Sequence, residues 1–266
     1  MKIAFIGGGN MGRAMVSAII DKGLAEPEDI TVADVREESR EDIVLTLGVF
    51  ATSSNLAAAK DAEVIILAIK PQNLTDITPD LAGKLDSCQL VLSIIAGKKI
   101  STLVEGLRHS SVVRVMPNTP AQIGKGMSVW TATEAVSADQ KESARRILAA
   151  MGEELFTPDE DDLDKATALS GSGPAYFFLF MEALVEAGVK IGFPEDVSRK
   201  LVLQTATGSA EYACLSGQGL ADLCRMVTSP GGTTAEALKV FEVGDFKGLV
   251  DKAVAAALRR AKELGV

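Results

Sequence analysis

Residues 2–12 read KIAFIGGGNMG, an apolar run of strand length followed by a glycine turn and the opening of a helical pattern. Gly7, Gly9 and Gly12 stand at the spacing G-x-G-x-x-G. The three positions permit, in turn, a tight turn, close approach of a pyrophosphate to bare backbone, and close packing of helix on strand. The amides and dipole of the helix start then favour an anion. A motif of this kind is weak alone but strong directly after a first strand. It points to a βαβ unit that holds a dinucleotide in the N-terminal part of the chain; a glycine-rich turn with no ligand is the competing reading.

The rest of residues 1–156 agrees. Runs of strand character at 2–7, 29–34, 62–69, 89–96, 111–117 and 126–132 alternate with helical patterns such as 11–23, 36–47 and 99–107. Several runs are apolar without alternation, as in a parallel sheet covered on both faces. The expectation is an α/β Rossmann-type, doubly wound parallel sheet. Ser137 and Gln140 form a capping box for a helix that Gly152 ends. After Phe156 the pattern changes to helices at 158–168, 174–191, 194–215, 218–226, 233–243 and 245–264. A boundary near residue 157 is expected, giving a dinucleotide-binding domain over 1–156 and an all-α domain over 157–266.

Within the first half, Asp34 closes the second strand, where an acidic residue takes the ribose hydroxyls of NAD and repels the 2′-phosphate of NADP. Arg36 offers a phosphate partner instead. A cap on the following helix is the competing reading of Asp34. The segments AIKPQ (68–72) and IAG (95–97) leave strand ends where a nucleotide lies. MPNTPA (116–121) is held stiff by two prolines and is expected to wall the nicotinamide pocket.

Composition narrows the function. A net charge of −9 argues against nucleic acid or an anionic membrane as partner. Three scattered cysteines, with no CxxC, fit a reducing compartment, and the N-terminus lacks a signal-peptide pattern. A cytoplasmic protein is expected. The most apolar stretch, PAYFFLFMEALVEAGVKIG, is read as too short to span a bilayer and as a buried helix. The single histidine, His109, lies in GLRHSSVV and is read as a solvated loop residue. That removes histidine-based triads and zinc sites. The acidic run DEDDLD lacks calcium-loop spacing. No metal is expected.

Two breaks interrupt the helical half, LSGSGPAY (169–176) and VTSPGGTTAEAL (227–238). In the second, the amides of Gly231, Gly232, Thr233 and Thr234 lead into a helix and make an anion site, with hydroxyls from Ser229, Thr233 and Thr234. An N-cap with a close helix crossing explains the same residues. Small residues in TATGSAEYA (205–213) suit close helix crossing, within one subunit or between two.

FIGGGNMG, AIKPQ, VRVMPNTPA, LSGSGPAYFF and VTSPGGTTAEAL, in this order, resemble the pyrroline-5-carboxylate reductases, from the first strand to the last helix. The resemblance implies reduction of 1-pyrroline-5-carboxylate to L-proline, the last step of proline biosynthesis. It also implies a helical domain that interlocks with a second subunit as a homodimer, with decamers in many members. Carried to this chain, Ile6, Gly7, Gly8, Gly9, Asn10, Met11, Asn55, Ala68, Ile69, Lys70, Pro71, Ile95, Ala96 and Gly97 meet the cofactor, beside Asp34 and Arg36. Ser229, Gly231, Gly232, Thr233 and Thr234 hold the substrate, with Thr234 on the ring nitrogen. Glu160 is placed within reach of the substrate, although TPDE (157–160) also has the spacing of a capped helix start. Position 34 departs from the small hydroxyl residue common in NADPH-using members, so the cofactor is NADH or NADPH with a lean to NADH. A β-hydroxyacid-type dehydrogenase is the nearest rival, but Lys190 lies too late in its helix for that family's catalytic lysine. A non-catalytic nucleotide sensor is the other, and intact Thr234 and both glycines weigh against it.

Overall fold

The computed structural model describes residues 1–265. Among them, eight strands form one sheet: β1 (Ile3–Ile6), β2 (Ile30–Ala33), β3 (Phe50–Thr52), β4 (Val64–Leu67), β5 (Leu90–Ser93), β6 (Val112–Met116), β7 (Gly126–Ala132) and β8 (Gly152–Phe156). Their spatial order is β3-β2-β1-β4-β5-β6-β7-β8. The first six run parallel, with β1 central to the nucleotide-binding half: Ile6 pairs with Ala33 on one side and Leu67 on the other. The expected doubly wound parallel sheet forms, with one antiparallel pair at its far side. β7 returns antiparallel on β6, Val115 facing Trp130, and β8 then lies parallel to β7. The turn Thr119–Ile123 between β6 and β7 is too short for a crossover helix, so the chain can only double back.

Helices α1 (Asn10–Asp21), α2 (Glu37–Leu47), α3 (Asn55–Ala59), α4 (Leu74–Leu81), α5 (Ile100–Leu107) and α6 (Ala138–Ala149) connect the strands. Two apolar layers result. Phe5, Met15, Ile19 and Ile43 pack on one face of the sheet, and Ile65, Leu67, Leu81, Leu103 and Leu107 on the other. The Ser137–Gln140 capping box forms as the sequence predicts. His109 contradicts its expectation. It sits in a loop but is buried at 6% exposure, with Nε2 2.8 Å from the Gln89 carbonyl. The Gln89 amide in turn donates to the carbonyls of Ala59 and Ala62, both at 2.7 Å. The imidazole therefore serves a polar staple under the sheet.

The chain after β8 continues as α7 (Asp161–Ala166), a π turn at Thr167–Gly171, α8 (Gly173–Lys190), α9 (Glu195–Ser216), α10 (Leu220–Met226), α11 (Thr233–Val243) and α12 (Phe246–Leu264). The compact units do not divide at 156/157. One comprises Met1–Ser172 with Ala257–Val266, the other Gly173–Ala256. Residues 157–172 stay with the sheet because Arg114 of β6 ion-pairs with Asp164 of α7.

In the second unit α8 and α9 cross closely: Ser198 Oγ donates to the Val185 carbonyl at 2.8 Å, and a Cβ on Gly188 would collide with Ser198 Oγ. Phe180, Phe241 and Phe246 form a ring cluster with centroids 5.5–6.2 Å apart. The reading of the PAYFFLF segment as a buried helix is overturned. α7, the π turn and α8 follow one another over Asp161–Lys190, a stretch long and apolar enough by length and composition to cross a membrane. Phe177 and Leu179 are 71% and 67% exposed.

Candidate functional site

The loops that leave the carboxyl ends of β1, β2, β4 and β5 gather on one edge of the sheet. Gly7 turns the chain there at φ +107°, and a Cβ on it would lie 2.5 Å from the Ala68 carbonyl oxygen. A Cβ on Gly12 would lie 2.5 Å from the Gly7 carbonyl oxygen. Those two glycines are demanded by the fold itself. Gly9 is not. Nothing among the described residues lies within 4 Å of where its Cβ would stand. It is the N-cap of α1 in extended conformation, and no side chain caps the helix. The first amides of α1, at Asn10, Met11 and Gly12, have no intrahelical acceptor, since no helical turn precedes them. An open, uncapped, partly positive helix start is the cradle a pyrophosphate requires.

Asp34 closes this edge from β2. Its Oδ2 accepts from the Gly8 N–H at 2.9 Å and the Ser39 hydroxyl at 3.3 Å, and its Oδ1 accepts from the Arg36 N–H at 2.9 Å. It does not cap α2, whose N-cap is Arg36. Burial alone raises a carboxyl pKa, but the Arg36 and Gly8 amides, the Arg36 charge and the Ser39 hydroxyl outweigh it and hold Asp34 below its ordinary value of 3.8. A group with a lowered folded pKa stabilises the fold above its unfolded pKa and loses that contribution as pH falls through the folded value. The difference in urea midpoint between wild type and Asp34→Asn should therefore shrink as pH drops below about 4. A difference that grows on acidification would contradict these contacts.

The remaining expected cofactor residues divide by what the structure does with them. Ala68, Ile69, Lys70 and Pro71 follow β4 directly, and Ala96 and Gly97 follow β5 in a turn with Gly97 at φ +70°. Arg36 is exposed, 3.5 Å from Asp34. The side chains of Ile6 and Ile95 belong to the apolar core. Asn55 opens α3, with its amide donating to Asp80 of α4 at 3.0 Å.

Glu160 does not complete a capping box. Thr157 Oγ1 accepts from the Asp159 N–H and donates to Asp162, while Asp159 Oδ1 accepts from the Asp161 N–H. The Glu160 carboxylate turns away from its own helix to Arg114 Nη1 at 2.7 Å and to the Ile100 N–H, also at 2.7 Å. Arg114 is the residue that sequence reasoning missed. It is 4% exposed and meets Asp164 at 3.2 Å as well. An arginine inside the apolar run VVRVM was the available signal, since a charge in a covered strand needs a built partner. Nearby, the Asn118 amide donates to Ser170 Oγ of the π turn at 3.1 Å, and Asn118 Oδ1 accepts from the Met127 N–H.

In the helical unit, Gly231 turns at φ +70° and the Gly232 N–H donates to the Ser229 carbonyl at 3.0 Å. Gly232 is the N-cap of α11, and no side chain caps that helix. Thr233 and Thr234 are its first two residues. Side-chain capping is done from the N-cap position, so neither threonine serves as one. The stretch leaves an open helix start with two hydroxyls beside it.

A glycine cradle on a parallel sheet, followed by a helical unit, defines the class: a dinucleotide-dependent oxidoreductase of Rossmann type. Residues 2–97 match the family described as NADP oxidoreductase, coenzyme F420-dependent, and residues 160–264 match pyrroline-5-carboxylate reductase dimerisation. A pyrroline-5-carboxylate reductase of Pseudomonas aeruginosa is 41% identical over 99% of this chain and 96% of its own. A structure of the Coxiella burnetii pyrroline-5-carboxylate reductase superposes with a TM-score of 0.91 at 38% identity, covering 100% of this chain and 98% of that one. The Plasmodium falciparum pyrroline carboxylate reductase, with NADP bound, gives 0.87 at 34% identity over 100% and 98%. The chain belongs to the pyrroline-5-carboxylate reductase family.

Proposed function

We propose that this chain reduces 1-pyrroline-5-carboxylate to L-proline with NAD(P)H. The observation that carries the reading is the uncapped, glycine-led start of α11, where Thr233 and Thr234 stand free of any capping role. Full-length likeness to reductases of this name supports it.

The cradle residues Gly7–Met11, with Asp34 and the turns after β4 and β5, are the groups that would hold the nucleotide. When bound, the reduced nicotinamide supplies hydride for the C=N carbon. The chain's own residues do the rest by positioning, an effect worth several kcal/mol. The amides of Thr233 and Thr234 and the hydroxyl of Ser229 receive the substrate carboxylate. The ring nitrogen enters protonated, and its N–H donates to the Thr234 hydroxyl oxygen, which aligns the C=N plane. Because the substrate nitrogen carries its own proton, no histidine or other strong protein acid is called for.

We favour NADH. Asp34 is held as a carboxylate at the ribose end of the cradle, where it repels a 2′-phosphate. Asp34→Ser should shift kcat/KM toward NADPH by about 1–3 kcal/mol. Equal constants for the two cofactors before and after the change would remove this role. Exposed Phe177, Phe178, Leu179 and Leu184 leave α8 apolar over much of its circumference, a surface of the kind that marks an interface. A second copy of this chain is its proposed occupant, giving a homodimer that assembles further to a decamer in the cytosol. Oxidation of proline or thioproline with NAD⁺ at high pH tests the activity. Absence of turnover on either would leave a nucleotide-binding protein of another function.

A further inference from the structure

Arg114 and Asp164 already make a balanced, buried pair: their side chains are 5% and 8% exposed. Glu160 is a surplus carboxylate in that cluster, 32% exposed. Its second contact explains it. Oε1 accepts the N–H of Ile100, sixty positions earlier, at 2.7 Å. Ile100 is the first residue of α5, so its N–H has no intrahelical acceptor, and the N-cap Lys99 provides no side-chain cap. A negative charge at that helix start is favoured by the dipole as well. Glu160 thus caps α5 from another part of the chain.

The consequence lies in the turn just before α5. Residues 94–99 connect β5 to that helix, with the Ile95 N–H on Ser93 Oγ at 3.3 Å and Gly97 at φ +70°. Where α5 begins fixes where this turn ends. From Glu160 the chain runs through α7 into the π turn, whose Ser170 accepts from Asn118 in the loop after β6. One segment, 160–171, therefore holds two loops at the carboxyl edge of the sheet.

We infer that Glu160 is a positioning residue for the cofactor: Arg114 aims it, and it sets the turn at 95–97 by capping α5, without contact with the substrate. This rests on the proposed placement of the nucleotide at that edge. The experiment is a fluorescence titration of full-length protein with NADH, alongside kinetics with 1-pyrroline-5-carboxylate. Glu160→Ala should raise the Kd for NADH about tenfold and leave the KM for the imine unchanged. Glu160→Gln keeps an acceptor for the Ile100 N–H and should restore most of the affinity. Ile100→Pro is the independent arm. It deletes the N–H at a first helical position, where proline is tolerated, and Lys99 already has the extended backbone that precedes proline (φ −70°, ψ 152°). It should reproduce the Kd effect with Glu160 intact. A raised imine KM with unchanged NADH affinity in Glu160→Ala would overturn the inference and return Glu160 to the substrate. A lowered melting temperature in all three variants with unchanged Kd would also overturn it, leaving a purely structural cluster. Failure of the wild type itself to bind NADH would remove the proposed function and this inference together. A loss confined to the variants leaves that function standing.

Discussion

Arg114→Met should lower the stability of the sheet unit by about 3 kcal/mol or more, read as a shift in urea midpoint at neutral pH. Methionine fills part of the volume but leaves Asp164, 6% exposed, as a buried carboxylate without its cation. The cost is that of stranding a charge, which exceeds the net worth of the pair. Arg114→Lys should lose less, because an ammonium keeps the charge but cannot fork between Asp164 and Glu160 as the guanidinium does. A loss under about 1 kcal/mol in Arg114→Met would mean that water already screens this cluster.

Thr234→Ala should lower kcat about ten- to a hundredfold, equivalent to about 1.5–3 kcal/mol for one oriented hydrogen bond to a charged centre. NADH affinity should be unchanged, since the hydroxyl stands at the start of α11 and the cradle is built on α1. Thr233→Ala should do less, because alanine retains the amide. The competing explanation is a lost helix cap, costing about 1 kcal/mol of stability with kcat intact. The geometry weighs against that outcome: Gly232 occupies the cap position and Thr234 is the second helical residue. A thermal melt measured with the kinetics separates the two. A lowered melting point with an unaltered kcat would show that this stretch only starts a helix.

What was legible in the amino-acid sequence was whatever depends on local spacing. The glycines at 7, 9 and 12, the alternation of strands and helices, and the helices over 195–216, 233–243 and 246–264 follow from short-range pattern, and the structure has them within a residue or two. Two edge elements escaped. β3 is three residues long and partly exposed, so FAT carries almost no periodic signal. β8 reads GEELF, with charges on an edge strand that protect it from pairing outward, and that resembles the end of a helix. The reversal of β7 was equally invisible, because an apolar strand reads the same in either direction.

Long-range pairing was the other blind spot. His109 looks polar and loop-borne until the Gln89 carbonyl is brought to it across 20 positions. Glu160 fits a capping pattern with its near neighbours, yet its carboxylate is claimed by Arg114, 46 positions away, and by the Ile100 amide. Local patterns rank candidate partners by proximity in sequence, whereas a buried cation selects them by desolvation energy. The exposed apolar surface of α8 belongs to the same category. A long apolar helix reads as core, but what covers it need not be part of the same chain.

The reaction proposed for this chain is reduction of a cyclic imine by a nicotinamide cofactor. The most direct test is to mix purified protein with 1-pyrroline-5-carboxylate and NADH, and to measure loss of reduced nicotinamide and formation of L-proline together. One proline should form per NADH consumed, at a rate that falls about ten- to a hundredfold in Thr234→Ala. Cofactor binding without proline formation, with either NADH or NADPH, would contradict that reduction.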